Sequence, residues 1–140
     1  MSIAQELVRN QRSRNRDAHG SGQFGESRGN RKHKGLDVVA NVGEMIFSPI
    51  EGTIVREAFP YKDDPSVRGV VIQGTGTWEG YEVKVFYAQG LVCGAVLPGQ
   101  HIAFAQDLTK KYLGITNHIH VEVRLKGKVI APQELFVQCF

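Results

Sequence analysis

The sequence predicts a single, mainly antiparallel β domain with little helix. A chain of 140 residues fits one domain and is long enough to bury a core without disulfide or metal support. Its sixteen glycines favour many turns and therefore short strands. Short apolar and β-branched runs alternate with these turn residues along most of the chain. The three observations together indicate one sheet-based core.

The first sixteen residues differ in composition from the rest, so we predict a basic arm at residues 1–16 and the domain at residues 17–140. Four arginines fall between residues 9 and 16. The favoured interpretation is a solvated arm, with one or two helical turns over residues 2–8. The alternative is an arm that contacts an anionic surface such as a nucleic acid, a glycan or a cell wall. No aromatic residues lie among these arginines, so the stacking contacts of a single-strand nucleic-acid site are missing.

Apolar and β-branched runs predict the strands in chain order. They lie at residues 36–40, 45–48, 53–59, 70–73 and 81–88, and the last of these is the longest. Turn residues at 49–52 and 60–65 separate some of them, and another turn is predicted at 97–100.

The glycine-rich stretch 74–80 is predicted to connect a hairpin. It holds Trp78, either as an exposed recognition aromatic or as a cover over the sheet edge. One short helix is expected from residue 106 or 107 to Leu113, ended by Gly114. Four phenylalanines are expected in the core: Phe24, Phe47, Phe59 and Phe86.

Cysteine spacing and hydropathy restrict the classes of protein to which the chain can belong. Cys93 and Cys139 form no CxxC pair, so neither a disulfide framework nor a cysteine-based zinc knuckle is indicated. Residues 1–8 lack the apolar core of a signal peptide, and no apolar run reaches membrane-spanning length. The default expectation is a soluble protein of a reducing compartment, without a membrane span.

Strict alternation over residues 118–125 predicts a strand with two different faces. Because successive strand side chains point to opposite sides, the apolar residues share the core face and the polar residues share the other. The core set is Ile119, Val121, Val123 and Leu125; the polar set is His118, His120, Glu122 and Arg124. Two imidazoles two residues apart on one face can converge on a single point.

The string HKGLD at residues 33–37 supplies two more candidate ligands. His33 and Asp37 share a face if the chain enters a strand there, and Gly35 lets the backbone approach closely. Two histidines and an aspartate with an open position form a donor set that catalytic zinc uses. Spacing alone leaves an alternative open, in which the histidines of HIH face solvent and Asp37 caps a turn.

Both strings carry a family resemblance. HKGLD followed by VVANVGEMIFSPIEGTIV, and NHIHVEV downstream, resemble the lysostaphin/LytM-type zinc endopeptidases, peptidase family M twenty-three. That family has HxxxD with an internal glycine, then HxH. The resemblance covers roughly residues 20–136. It implies a half-barrel sheet of the LytM (duplicated hybrid motif) type that holds one zinc ion.

Carried to this chain, the resemblance implies zinc ligation by His33, Asp37 and His120. His118 would be one of two family histidines that orient the substrate and the attacking water. The second stands in a Tyr-x-His string, and here Tyr87 and Ala88 are followed by Gln89. A glutamine amide does not titrate, and loss of an acid–base group typically costs about 10²–10⁴-fold in rate.

Two further side chains are candidates for support of the site. Glu122 shares the face of the histidines and can either hydrogen-bond a ligand imidazole or pair with Arg124. Tyr87 is expected to be half-buried, with its hydroxyl toward the groove.

A second set of strings resembles one branch of that family, the chemotaxin-2 group of secreted zinc-binding proteins. These strings are DAHGSGQFGESRGNRKHKGLDV, AFPYKDD, VKVFYAQ and GITNHIHVEV. The resemblance implies a recognition, signalling or immune-type binding protein with little or no peptidase activity, which binds a protein or glycan in the zinc groove. The alternative is an active zinc metalloendopeptidase that cleaves glycine-containing peptidoglycan peptides.

The same branch implies an extracellular location, against the default expectation from composition. It carries several disulfides, however, and Cys93 and Cys139 do not fall where its cysteines align. Glu82 occupies one of those positions.

Overall fold

A computed structural model describes residues 3–12, 27–28, 31–32 and 35–136. Within these ranges the chain forms twelve strands and two short 3₁₀ helices. The strands are β1 (Ser27–Arg28), β2 (Arg31–Lys32), β3 (Leu36–Val39), β4 (Met45–Phe47), β5 (Gly52–Ala58), β6 (Gly69–Gly74), β7 (Tyr81–Phe86), β8 (Ala88–Gly90), β9 (Gly94–Val96), β10 (His101–Ala105), β11 (His118–Leu125) and β12 (Lys128–Ile130). The 3₁₀ helices are Gly76–Trp78 and Pro132–Leu135.

All pairings between these strands are antiparallel, as the turn-rich sequence predicts. The main sheet has the order β12-β11-β7-β6-β5-β9, and β3 also pairs with β11. A second sheet has the order β4-β10-β8, and β1 pairs with β2 alone. The prediction of a mainly β domain with little helix is confirmed.

One hydrophobic core draws on both larger sheets. The predicted core face of β11 contributes Ile119, Val121 and Val123, which are fully or almost fully buried. Ile46 of β4 and Ile102 of β10 belong to the same buried cluster. Alternation therefore assigned the inward face of β11 correctly for these three residues, whereas Leu125, predicted with them, is only partly buried. The histidine face lies on the other side of the strand.

The N-terminal segment 3–12 packs against this core. Ala4, Leu7 and Val8 are buried, and the Leu7 carbonyl accepts a 2.7 Å hydrogen bond from the Phe47 amide at the edge of β4. The expectation of a solvated arm is wrong for residues 4–8, because the apolar side chains there find the core. Residues 3–8 form no helical turn. The boundary at residue 16 stays a prediction, since residues 13–20 lie outside the described part.

The run 81–88 is not one strand, as expected, but two. Tyr87 has a φ of +65° and separates β7 from β8. The amides of Tyr87 and Ala88 both donate to the Arg68 carbonyl, at 2.7 and 3.0 Å. The chain thereby leaves the main sheet and enters the second one, and β11 becomes the longest strand.

The predicted helix from residue 106 or 107 to Leu113 is also wrong. The segment makes a single turn, in which the Tyr112 amide donates to the Leu108 carbonyl at 2.9 Å. Side chains accept hydrogen bonds from two main-chain donors at the start of this turn. The Asp107 carboxylate accepts from the Thr109 amide at 2.8 Å, and the Asn117 side chain accepts from the Leu108 amide at 2.8 Å.

The aromatic residues only partly follow expectation. Trp78 is buried and packs edge-on against Tyr81 at 5.2 Å between ring centroids, so it is not an exposed recognition aromatic. Phe59 is 52% exposed and does not belong to the core. Phe47 and Phe86 are partly buried, and Phe24 lies outside the described residues.

In the described part of the chain, no helix has the length and apolar character needed to span a membrane.

Candidate metal centre

The pairing of β3 with β11 brings Asp37 to the histidines. The register places His120 opposite Asp37 and His118 opposite Val39. Leu36 and Val38 point into the core, so Asp37 must point to the other face, which is the histidine face of β11. Two strings that lie more than eighty residues apart are joined by one strand register.

The Asp37 carboxylate lies between the two imidazoles. Its Oδ1 is 2.8 Å from His120 Nδ1, and its Oδ2 is 3.4 Å from His118 Nε2. Asp37 and His118 are 3% and 4% exposed. A carboxylate removed from water to this extent needs charged or hydrogen-bonding partners, and the two rings are such partners. Asp37 is therefore a member of a buried polar cluster, and the alternative of a solvent-facing turn cap is excluded.

Each imidazole is held by a second contact. His118 Nδ1 lies 2.8 Å from the Thr116 carbonyl, which can only accept, so this nitrogen carries the proton. His120 Nε2 lies 2.9 Å from Glu122 Oε2. Arg124 Nη1 is 3.9 Å from the other oxygen of Glu122, so both contacts considered for this glutamate are present.

The protonation of His120 follows from these partners. Burial would lower its pKa, but the hydrogen bonds to Asp37 and Glu122 outweigh this effect and raise the pKa to about 9. The same hydrogen bond from His120 lowers the pKa of Glu122, against the opposing effect of its partial burial. His120 is thus held between the carboxylates of Asp37 and Glu122.

Gly35 leaves the space that this arrangement needs. A Cβ atom added at Gly35 would lie 2.3 Å from the Val121 carbonyl oxygen and 2.8 Å from His120 Nε2. Real Cβ atoms do not approach other heavy atoms so closely. The glycine inside HKGLD is therefore required because the backbone of β11 and the His120 ring approach it closely, as the sequence predicted.

The donor chemistry of Asp37 and His120 fits zinc. Tetrahedral zinc ligands at about 2.0–2.1 Å from the ion lie roughly 3.3 Å apart, so Oδ1 and Nδ1 would separate by about half an ångström from their present 2.8 Å. No group of three or more His, Cys, Asp or Glu is arranged to hold a metal within the residues that the structure describes. The third ligand of the predicted set, His33, lies outside those residues.

Tyr87 connects the histidines to a cluster of tyrosines. Its ring meets His118 edge-on at 5.4 Å between centroids and lies 6.4 Å from the ring of His120. Its hydroxyl is 3.0 Å from that of Tyr61, and the Tyr112 hydroxyl donates to Tyr61 at 2.6 Å. We call Tyr61, Tyr87 and Tyr112 the tyrosine clasp.

The clasp joins two loops beside the site, one at residues 59–68 and one at residues 106–117. Lys111 Nζ bonds Asp64 across the same gap at 3.1 Å, and Gln106 Nε2 donates to the Ser66 carbonyl at 2.8 Å. Burial and the hydrogen bonds to Tyr112 and Tyr87 raise the pKa of Tyr61 above its ordinary value, so its hydroxyl stays protonated.

Tyr61 and Tyr112 are not among the site residues predicted from the sequence. Tyr61 falls within the quoted string AFPYKDD, yet nothing in that string marks its hydroxyl as a partner of Tyr87. Tyr112 was assigned to a helix that does not form. Only the loop geometry reveals that the two tyrosines meet.

Gln89 lies two residues beyond Tyr87. It is exposed on β8, and its Cα partner across the second sheet is Phe104. The position that holds the second family histidine is thus carried on the sheet that the chain enters after the break at Tyr87.

The family assignment agrees with this geometry. The family model for the LECT2 C-terminal domain matches residues 22–138 of the chain. The chain belongs to this family. It is 33% identical over 108 residues to leukocyte cell-derived chemotaxin-2 of Bos taurus, which covers 76% of the chain and 69% of the relative.

Solved structures share the fold of this LECT2-family chain. Csd3 of Helicobacter pylori matches with a TM-score of 0.70 at 18% identity, over 99% of the chain and 36% of that protein. A zinc containing peptidase from Vibrio cholerae matches with a TM-score of 0.64 at 20% identity, over 93% of the chain and 39% of that protein. At such identities the likeness establishes the LytM-type fold and no more. The predicted fold class and family are confirmed.

Proposed function

We propose that this LECT2-family chain is a zinc-binding recognition protein with little or no peptidase activity. The observation that carries the proposal is the buried Asp37 carboxylate held 2.8 Å from His120 Nδ1 across the β3–β11 pair. A buried acid and an imidazole pointed at each other from facing strands form a preorganised pair of zinc donors. The fold shared with a zinc containing peptidase and the sequence similarity to chemotaxin-2 support the same proposal.

His33, Asp37 and His120 would hold the ion. Zinc, when bound, supplies Lewis-acid polarisation of an oxygen atom of whatever occupies its open position. Glu122 accepts from His120 Nε2 and so fixes the ring with Nδ1 toward Asp37. His118, held by the Thr116 carbonyl, keeps its Nε2 on the Asp37 side of the site, where it orients a ligand.

Gln89 is the reason to expect recognition without turnover. Its amide donates and accepts hydrogen bonds but cannot take up or release a proton at neutral pH. The chain can therefore bind a protein or glycan in the groove beside Tyr87 without one of the two proton-transfer groups of the peptidases.

A measurement of the zinc content per chain tests the proposed metal site. We expect about one zinc per chain in the wild type and in Asp63→Ala, an exposed control on the 59–68 loop. Asp37→Ala should lose the ion, and Asp37→Asn, which keeps the volume of the side chain, should lose it while circular dichroism shows a folded protein. A wild type that stays free of zinc after zinc is supplied would refute the metal site.

Hydrolysis of a pentaglycine peptide tests the absence of turnover. Wild type should show no measurable cleavage, whereas Gln89→His should keep its zinc and raise any hydrolysis. Gln73→His, an exposed glutamine on β6, is the matched control and should change neither. Wild-type cleavage at the rate of working peptidases would favour the alternative function, a metalloendopeptidase of glycine-containing peptidoglycan peptides.

A further inference from the structure

A polar cleft with two guanidinium groups opens where the N-terminal segment crosses the end of β3. Its volume is about 420 Å³, and its polar lining includes Arg9, Asn10, Arg12, Asn41 and Glu44. The cleft belongs to neither the histidine site nor the tyrosine clasp. Its lining includes Arg9, Asn10 and Arg12, which lie at the end of the described part of the predicted basic arm.

The main chain that carries the two arginines is anchored at both ends. The Leu7 carbonyl accepts from the Phe47 amide at 2.7 Å, and the Arg12 carbonyl accepts from the Val39 amide at 3.0 Å. Between them, the Leu7 amide donates to the Gln11 side chain at 2.8 Å. Both arginines are exposed but start from a fixed backbone, so little main-chain order has to be gained when a ligand binds.

The cleft adjoins the candidate metal centre along β3. Its lining includes Val39, which follows Asp37 by two residues and therefore lies on the same face of the strand. Val39 is also the Cα partner of His118 across the β3–β11 pair.

The lining selects an anionic partner rich in hydroxyl groups. Guanidinium groups offer forked donors that match the oxygens of an oxyanion, and the two asparagine amides both donate and accept, as hydroxyl groups require. Among the described residues that line the cleft none is aromatic, which disfavours stacking of nucleic-acid bases. We propose that this cleft binds the sulfate groups of an anionic glycan, independently of zinc.

Calorimetric titration of the full chain, stripped of metal with EDTA, with a heparin-derived oligosaccharide at low salt tests the proposal. Arg9→Gln and Arg12→Gln should each weaken binding about tenfold, as expected for loss of a charged hydrogen bond. Arg56→Gln, an equal change of charge at an exposed site on β5, should change the affinity less than about twofold. Glu44→Gln should tighten binding, because it removes the carboxylate that faces the same cleft.

Three outcomes would overturn the proposal. The wild type does not bind the oligosaccharide; all three arginine variants lose affinity equally, which shows a diffuse charge effect; or single-stranded DNA of equal charge binds as tightly with the same dependence on Arg9 and Arg12. Because the titration uses metal-free protein, its result is separate from the result of the zinc measurement.

Discussion

The two sides of the candidate site are built in different ways. On one side, Asp37, His118 and His120 stand on paired strands, and the backbone ladder of β3 and β11 sets their separation. On the other side, Tyr61, Tyr87 and Tyr112 stand on two loops and at a strand break, and hydrogen bonds between their own side chains set theirs. A ladder holds positions through many backbone contacts, whereas a clasp depends on two bonds. The strand side should therefore be the less tolerant of substitution.

The strand side is sensitive to substitution because its geometry depends on the register between β3 and β11. A slip of one residue between β3 and β11 would turn Asp37 away from the histidines and put an apolar neighbour in its place. No strand register constrains the loop side, because the positions of its tyrosines change continuously with the conformation of the two loops.

Gly35→Ala is the strongest way to break the strand side. The added Cβ would meet the Val121 carbonyl oxygen and the His120 ring, so β3 and β11 must move apart. We expect a loss of about 3 kcal/mol in the free energy of unfolding, measured with urea, together with loss of zinc from the folded fraction.

The control for that variant is Gly99→Ala, in a turn with open space around it. Gly99 has a φ of +81° and no atom within 4 Å of an added Cβ, so only a backbone cost of about 1–2 kcal/mol is expected and zinc should be retained. Equal costs at the two glycines would show that close approach at Gly35 is not the constraint.

Tyr61→Phe removes the centre of the tyrosine clasp and tests the loop side. Two hydroxyl contacts are lost, so we expect a cost of about 2 kcal/mol and faster amide hydrogen exchange in residues 59–68 and 106–117. Tyr112→Phe, which loses only the bond to Tyr61, should cost about half as much. Zinc stoichiometry should be unchanged in both variants; a loss of zinc would mean that the two sides are not separate.

Lys111→Met has the smallest expected effect and tests the bond between Lys111 and Asp64, which joins the two loops. Hydrogen bonds from Ser66 and then from Lys111 lower the pKa of the Asp64 carboxyl, so removal of the lysine should bring that pKa part of the way back. A lowered carboxyl pKa stabilises the fold above the pKa of the unfolded state, and this contribution disappears as the pH falls through the folded-state pKa.

The part of the difference between wild type and Lys111→Met that comes from the bond to Asp64 should therefore be present at neutral pH and vanish in acid. The contact of Lys111 Nζ with the Tyr61 ring, 4.8 Å from the centroid, is lost at every pH. Titration of the Asp64 carboxyl by carbon-13 NMR measures the shift directly. Lys110→Met, at the adjacent position, is the control and should leave Asp64 unchanged; an equal shift there would point to general surface charge in place of the bond.

The strand side and the loop side also differ in how much of each the sequence predicts. Alternation over residues 118–125 was sufficient to predict the polar face of β11, since a period of two is written directly into the residues. That Asp37 joins His120 was implied only by the family resemblance, and the register of β3 against β11 places the two residues opposite each other. The break at Tyr87 was missed, because residues 81–88 are favourable strand residues throughout and the break is imposed by Arg68, from a neighbouring loop.

The sequence by itself determined the strand character of the chain, the inward face of β11, the need for glycine at residue 35 and the family. The first three depend on properties of neighbouring residues, which are alternation, side-chain volume and backbone freedom. The family followed from the resemblance of its motifs to those of known proteins. Only the tertiary structure decided that Leu7 and Val8 fill the core, that Trp78 is buried, that Tyr61 meets Tyr87 and that Arg9 and Arg12 line a cleft beside β3. The physical reason is that such contacts join residues far apart in the chain, and their energies depend on which surfaces the folded strands leave free to be covered.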